Sequence, residues 1–292
     1  MERADAHLHL FAHGYPGRYG RSPAGGDELA VYRTLRREHG IGQALVVGYE
    51  GGAEFAGNNQ HLARLAAAHD WIAPLAYVPA TGARRDELER FRSAGFAGLA
   101  AYLPDPASAD AFAGWAAGSA GALNDAAALL SLNATPEAAG RLGPALAALD
   151  RCVVLFSHLG LPGRQPTVPS VEAAAGRLAT LTGLARLPHV GVKISGLYAV
   201  SDPADDHPHA AARPFVDVLL DSFGPQRLYW GSDFAPSLDH VSFAQTLHPV
   251  GLEGLSAAEA ADVFGGNLRR ALRRGPAGRL TDRRATQTGA ID

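Results

Sequence analysis

Residues 4–11 read ADAHLHLF, and the conformation of this octet governs how the rest of the chain is read. Side chains at i and i+2 of a β-strand share a face. If ADAHLHL is a strand, His7 and His9 project together while Leu8 and Leu10 face the other way. Two adjacent imidazoles suit a divalent metal, because neutral imidazole is a common metal ligand. They also serve as ordinary strand residues that make hydrogen bonds. The octet predicts a first strand that carries two histidines to one point.

Working outward, apolar runs recur at QALVVGY (43–49), WIAPLAYV (71–78), FAGLAAYL (96–103) and ALLSLNAT (128–135). CVVLFSHL (152–159), GVKISGL (191–197) and RLYWGSDF (227–234) follow. Near-continuous apolar runs are expected of parallel strands covered on both faces. Helical spacing predicts helices over 27–39, 58–69, 84–93, 136–149, 171–187 and 214–223, with Thr135 as a cap and Pro136 at the first helical position. Alternating strands and helices predict an α/β fold, a single-domain (β/α)8 TIM barrel over residues 1–274. No glycine-rich dinucleotide fingerprint follows a strand, which argues against an open doubly wound sheet. The polar segment 275–292 lacks apolar periodicity and is expected to be disordered.

Composition narrows the class. A chain of 292 residues, 47% hydrophobic and 19% charged, is globular, and a net charge of −3 gives no reason to expect nucleic acid or a membrane surface as partner. No apolar run approaches the ~20 residues of a membrane span, and the start lacks a signal-peptide core. The lone Cys152 cannot form an internal disulfide, so a cytoplasmic location is expected. Of 26 basic residues only Lys193 is lysine, which suggests that a compact ammonium is wanted there.

Three long loops, 11–26, 159–170 and 198–213, all follow strands, at the end of a barrel where active sites form. His7 and His9 end the first predicted strand, His158 the sixth and Asp233 the eighth. Three imidazoles and a carboxylate make a credible shell for zinc or a similar ion. Lys193 and Ser195 are expected to face the barrel interior, since Val192 and Ile194 suit the helix side. There Lys193 would stabilise an oxyanion, bind a carboxylate, or pair with an acid such as Asp5. Arg18, Arg21 and Arg164 lie in the long loops and suit an anionic small-molecule substrate. Tyr15, Tyr19, Tyr49, Tyr77, Tyr102 and Tyr198 fall at or past strand ends, as for a pocket that holds a ring. His13, His207 and His209 are expected to be solvent-exposed loop residues.

ADAHLHLF, VVLFSHLGLPG (153–163), VGVKISGLY (190–198), LYWGSDFAP (228–236) and the closing FGGNLRRAL (264–272) together resemble the amidohydrolase superfamily. The likeness is to the branch that contains sugar-acid and dicarboxylate lactonases and metal-dependent decarboxylases. The resemblance implies a hydrolase acting on a small cyclic ester (a lactone) or related carbonyl compound. His7, His9 and His158 would bind a mononuclear metal, zinc or manganese, or the substrate carbonyl directly. Asp233, with His158 the expected catalytic pair, would take a proton from water and return it to the leaving group. Some members of the branch work without metal. A decarboxylase or other lyase on the same scaffold is the other chemistry implied, and a non-catalytic ligand-binding barrel is the reading from a different class. Two departures bear on this. Asn133 stands on the fifth strand where metal-dependent relatives carry histidine, and Ala100, Ala101 and Tyr102 stand where others carry a bridging lysine or glutamate. A two-metal site is therefore not expected, while Asn133, Tyr102 and Tyr198 remain substrate-binding candidates. Barrels of this kind often dimerise, so a homodimer is compatible with the reading.

Overall fold

The computed structural model describes residues 2–274, so segment 275–292 and its expected disorder lie outside the described residues. Short strands rich in Ala, Val and Leu alternate with helices. The strands are β1 (Arg3–Leu8), β2 (Ile41–Val47), β3 (Ile72–Tyr77), β4 (Gly98–Leu103), β5 (Leu129–Ala134), β6 (Val153–Phe156), β7 (Val190–Ile194) and β8 (Leu228–Trp230). They pair in sequence order, all parallel, in one eight-stranded sheet. Beyond the end of β8 the chain pairs with the end of β1. Leu8 bridges Phe234, the Asp233 amide donates to the His7 carbonyl (2.8 Å), and the His9 amide donates to the Phe234 carbonyl (2.5 Å). The fold is a single-domain (β/α)8 barrel.

Two cores hold it. An inner cluster of Ala4, Ala6, Leu45, Leu75, Ala100 and Leu155 fills the barrel and is closed below by Leu268 and Leu272 of the last helix. An outer cluster, including Leu8, Leu10, Val192 and Ile194, packs strands against helices. In β1 the change of side occurs at a register irregularity between Asp5 and Leu8. A bulge of this kind re-aims the side chains that follow it. Ala4 and Ala6 therefore face inward, yet His7 and His9 also face inward while Leu8 and Leu10 face out.

The connecting helices are α1 (Glu28–Glu38), α2 (Asn58–Ala68), α3 (Arg85–Ser93), α4 (Pro106–Ala126), α5 (Pro136–Ala147), α6 (Val171–Thr182) and α7 (Arg213–Phe223). Asp27, Thr135 and Ser170 cap α1, α5 and α6 by accepting from backbone amides of the first turn. The longest helix, α4, was not among those expected from the spacing. It buries only a narrow stripe, Ala109, Phe112, Ala116 and Leu123, and alanine on every face removes the contrast that periodicity needs. No helix among the described residues is long and apolar enough to cross a membrane.

Candidate active site

His7 and His9 leave β1 side by side, with their Nε2 atoms 3.2 Å apart. The β-strand spacing of the octet puts them there. His9 Nδ1 donates to the Val47 carbonyl on β2 (2.8 Å), which aims the ring inward. His158 begins a single 3₁₀ turn just past β6, its ring centroid 4.5 Å from that of His7 and its Nδ1 3.1 Å from Ser195 Oγ. Asp233 lies past β8. Its Oδ1 is 3.6 Å from His7 Nε2 and 3.9 Å from His9 Nε2, and its Oδ2 accepts from the Tyr198 hydroxyl (2.7 Å). His7, His9 and Asp233 are buried, and His158 is nearly so at 9% exposure.

The backbone is bent to make this cluster. His158 (φ 52°) and Asp233 (φ 57°) both occupy the left-handed region, which non-glycine residues rarely adopt. Such strain costs of order 1 kcal/mol per residue and collects at functional sites. Two glycines make the necessary room. A Cβ on Gly196 would lie 2.4 Å from His158 Nδ1, and one on Gly231 would lie 2.7 Å from His7 Cβ.

Burial sets the charges. It pushes the Asp233 carboxyl up to about 6, against the pull of His9, the Tyr198 hydroxyl and Lys193. Burial also lowers His9 and His158 to about 4, and His7 well below its usual range, so all three imidazoles are neutral near pH 7. A carboxylate with a pKa near 6 beside neutral imidazoles can accept and return a proton.

Lys193 and Ser195 face inward as expected, and both are buried. Lys193 does not pair with Asp5 as one expectation had it: its Nζ donates to Ser131 Oγ (2.6 Å) and lies 3.0 Å from His7 Nδ1, while burial draws it down to about 7. Asp5 is occupied elsewhere, by Tyr32, Ser232 and the His7 amide. Asn133 sits at the top of β5 in register with Tyr102 of β4, half-buried, and is outside the His7–His158–Asp233 cluster.

The loop candidates divide. Arg18 forms a two-pronged ion pair with Asp205 (3.0 and 3.1 Å), and Arg21 and Arg164 are exposed. Tyr198 joins the cluster through Asp233, whereas Tyr19 is 71% exposed and plays no part in it. Phe11 stacks on His9 (5.3 Å), and Phe11, Phe55, Tyr49 and Tyr102 continue from ring to ring at 4.6–5.1 Å, with Tyr77 beside Tyr102 at 6.0 Å. The phenol oxygens of Tyr49, Tyr77 and Tyr102 have no hydrogen-bond partner among the described residues. His209 corrects an expectation of exposure. It is 4% exposed, and neither ring nitrogen has a partner among the described residues.

Several supporting residues were not anticipated. Glu28, buried at the start of α1, accepts from the amides of Phe11 and Tyr15 and from Ser22, and so shapes the first loop. Ser131 and Ser157 line the floor beneath His7. The only signal for them was their place in inward register on β5 and just past β6.

The donor set fits one divalent ion. Zinc bonds of about 2.0–2.1 Å at tetrahedral angles put ligand atoms roughly 3.3 Å apart. His7 Nε2, His9 Nε2 and Asp233 Oδ1 are separated by 3.2–3.9 Å, and donor atoms of His7, His158 and Asp233 all lie within 4.8 Å of one another. A bridging lysine or glutamate on β4 is absent, as the sequence showed.

The (β/α)8 barrel thus brings imidazoles and a carboxylate together at the ends of β1, β6 and β8, where barrel active sites form. The chain belongs to the amidohydrolase family, whose model matches residues 4–274. An L-fucono-1,5-lactonase from Burkholderia multivorans is 35% identical over 125 residues, a match that covers 40% of this chain and 42% of that relative. An amidohydrolase from Burkholderia multivorans, solved with bound zinc, superposes with a TM-score of 0.73 at 25% identity, covering 93% of this chain and 99% of the other. A probable 2-pyrone-4,6-dicarboxylic acid hydrolase from Acinetobacter baumannii, solved with citric acid, shares the fold at a TM-score of 0.70 and 18% identity, covering 93% and 99%.

Proposed function

We propose that this enzyme hydrolyses a small lactone, with Asp233 as the proton acceptor and His7, His9 and His158 facing the carbonyl. The observation that carries the reading is the buried Asp233 carboxylate, whose Oδ1 faces His7 and His9 while Tyr198 holds Oδ2. The lactonase relative supports it. Asp233 takes a proton from water, the hydroxide oxygen adds to the carbonyl carbon, and the ring C–O bond breaks as the adduct collapses. The proton held by Asp233 then passes to the leaving alkoxide, giving a hydroxy acid. Imidazole N–H groups oriented at the carbonyl oxygen stabilise the charge that develops there. A divalent ion held by His7, His9, His158 and Asp233, most simply zinc, would supply Lewis-acid polarisation of that oxygen.

The aromatic arc supports a ring-shaped substrate, with the free phenols of Tyr49, Tyr77 and Tyr102 offering hydrogen bonds to ring hydroxyls. It does not call for an anion. Arg18 is committed to Asp205, and the outer cavity that it lines with Arg164 also holds Asp202, Asp205 and Asp239. An uncharged sugar-acid or aromatic lactone is the proposed substrate class. Acid release from a panel of such lactones, followed in a pH-stat, tests this. Turnover with ring opening is expected, and release of carbon dioxide from a carboxylated ring would move the enzyme to the lyases.

A further inference from the structure

The Nε2 atoms of His7 and His9 stand 3.2 Å apart. Two bare imidazole lone pairs repel at that distance, so a proton or a cation must lie between them. The neighbouring bonds decide which ring supplies the proton. The Val47 carbonyl can only accept, so His9 carries its proton on Nδ1 and its Nε2 is an acceptor. On the far side of His7, Nδ1 faces Lys193 Nζ at 3.0 Å, with Ser157 Oγ at 3.4 Å. Lys193 is fully buried, and its other hydrogen-bond partner among the described residues is Ser131 Oγ, to which it donates.

We propose that Lys193 is a positioning residue that sets the tautomer of His7: it donates to Nδ1 and so keeps the His7 proton on Nε2. Lys193, His7, His9 and the Val47 carbonyl then form a row in which each donor meets an acceptor. The His7 Nε2–H is satisfied by His9 Nε2 in the free protein, and on the lactonase reading the carbonyl oxygen competes for it. A divalent ion needs the opposite tautomer, with the His7 proton moved to Nδ1 against the amine. Lys193 therefore opposes metal binding through His7, although the donor atoms are spaced for an ion.

The test reads tautomer and metal affinity, neither of which involves turnover, so it can fail or succeed independently of the lactonase reading. Metal-stripped protein labelled with ¹⁵N-histidine is examined by NMR, with His7 assigned by its loss in His7→Asn. Wild type is expected to show His7 protonated on Nε2 and bare on Nδ1. In Lys193→Met the preference for Nε2 is expected to weaken, with a share of His7 protonated on Nδ1 toward Ser157 as the His7 and His9 rings move apart. Zinc affinity, measured by calorimetry, is expected to rise on the order of tenfold or more once the N–H donor that opposes a proton on His7 Nδ1 is gone. A wild-type His7 protonated on Nδ1 overturns the proposal, as does zinc affinity in Lys193→Met that is unchanged or weaker. If Lys193→Met does not fold, the wild-type spectrum alone decides.

Discussion

At Asp5 two carboxylate oxygens accept four hydrogen bonds, from the Tyr32 and Ser232 hydroxyls and the amides of His7 and Ser232. This ties β1 to α1 and to the GSD turn that carries Asp233. Replacing Asp5 by Ala leaves buried donors unpaired and should cost about 3 kcal/mol or more, read as a lowered urea midpoint. Asp233 itself should be dispensable for folding and essential for chemistry. Asp233→Asn keeps the shape and tolerates the left-handed backbone, and should lower kcat by roughly 10²–10⁴-fold with little change in melting temperature. Because the base must be ionised, kcat/KM of the wild type should fall as pH drops through about 6. A profile flat from pH 5 to 8 would remove Asp233 from that role.

Among the elements, the turns beyond β6, β7 and β8 act as one unit. Gly196 past β7 leaves the space that His158 fills, and its φ of +60° disfavours any side chain. Gly196→Ala should therefore lower kcat at least tenfold by displacing the His158 ring, with a stability loss of about 1–2 kcal/mol from the strained backbone. Paired kinetics and thermal melts separate the two effects. The same elements show what the sequence could convey. HxH in ADAHLHLF, SHLG and WGSD placed the four central side chains, because strand alternation and the barrel's ends follow from period and order alone. Lys193 was legible as an inward, solitary lysine, but its partner was not, since contact across the barrel between β7 and β1 leaves no local pattern. His209 was misread for the same reason: a loop histidine looks exposed until the loop is seen folded onto the barrel. Helix α4 was illegible because alanine marks no face.

For the whole molecule, acid stability follows from the buried histidines. His9, His158 and His209 have folded pKa values near 4, below the ordinary 6.5, so the stability they confer is complete above pH 6.5 and lost as pH falls through about 4. Asp5 and Asp233, raised to about 6, run the other way, their contribution being full below pH 3.8 and lost as pH rises through 6. The measured unfolding free energy should drop between pH 6.5 and 4, less steeply than the histidines alone would dictate. A denaturation series across that range checks it.

The aromatic arc has a consequence for how such an enzyme can change. The reacting groups come from the end of β1 and the turns after β6, β7 and β8, whereas β2, β3 and β4 bring Tyr49, Tyr77 and Tyr102 to the rim. On the reading proposed above, one side of the barrel performs the reaction and the other recognises the molecule that undergoes it. Residues 48–128, a contiguous block that carries the three tyrosines and leaves Val47 and Ser131 in place, could then be exchanged between homologues to alter substrate range while the proton-transfer machinery stays intact.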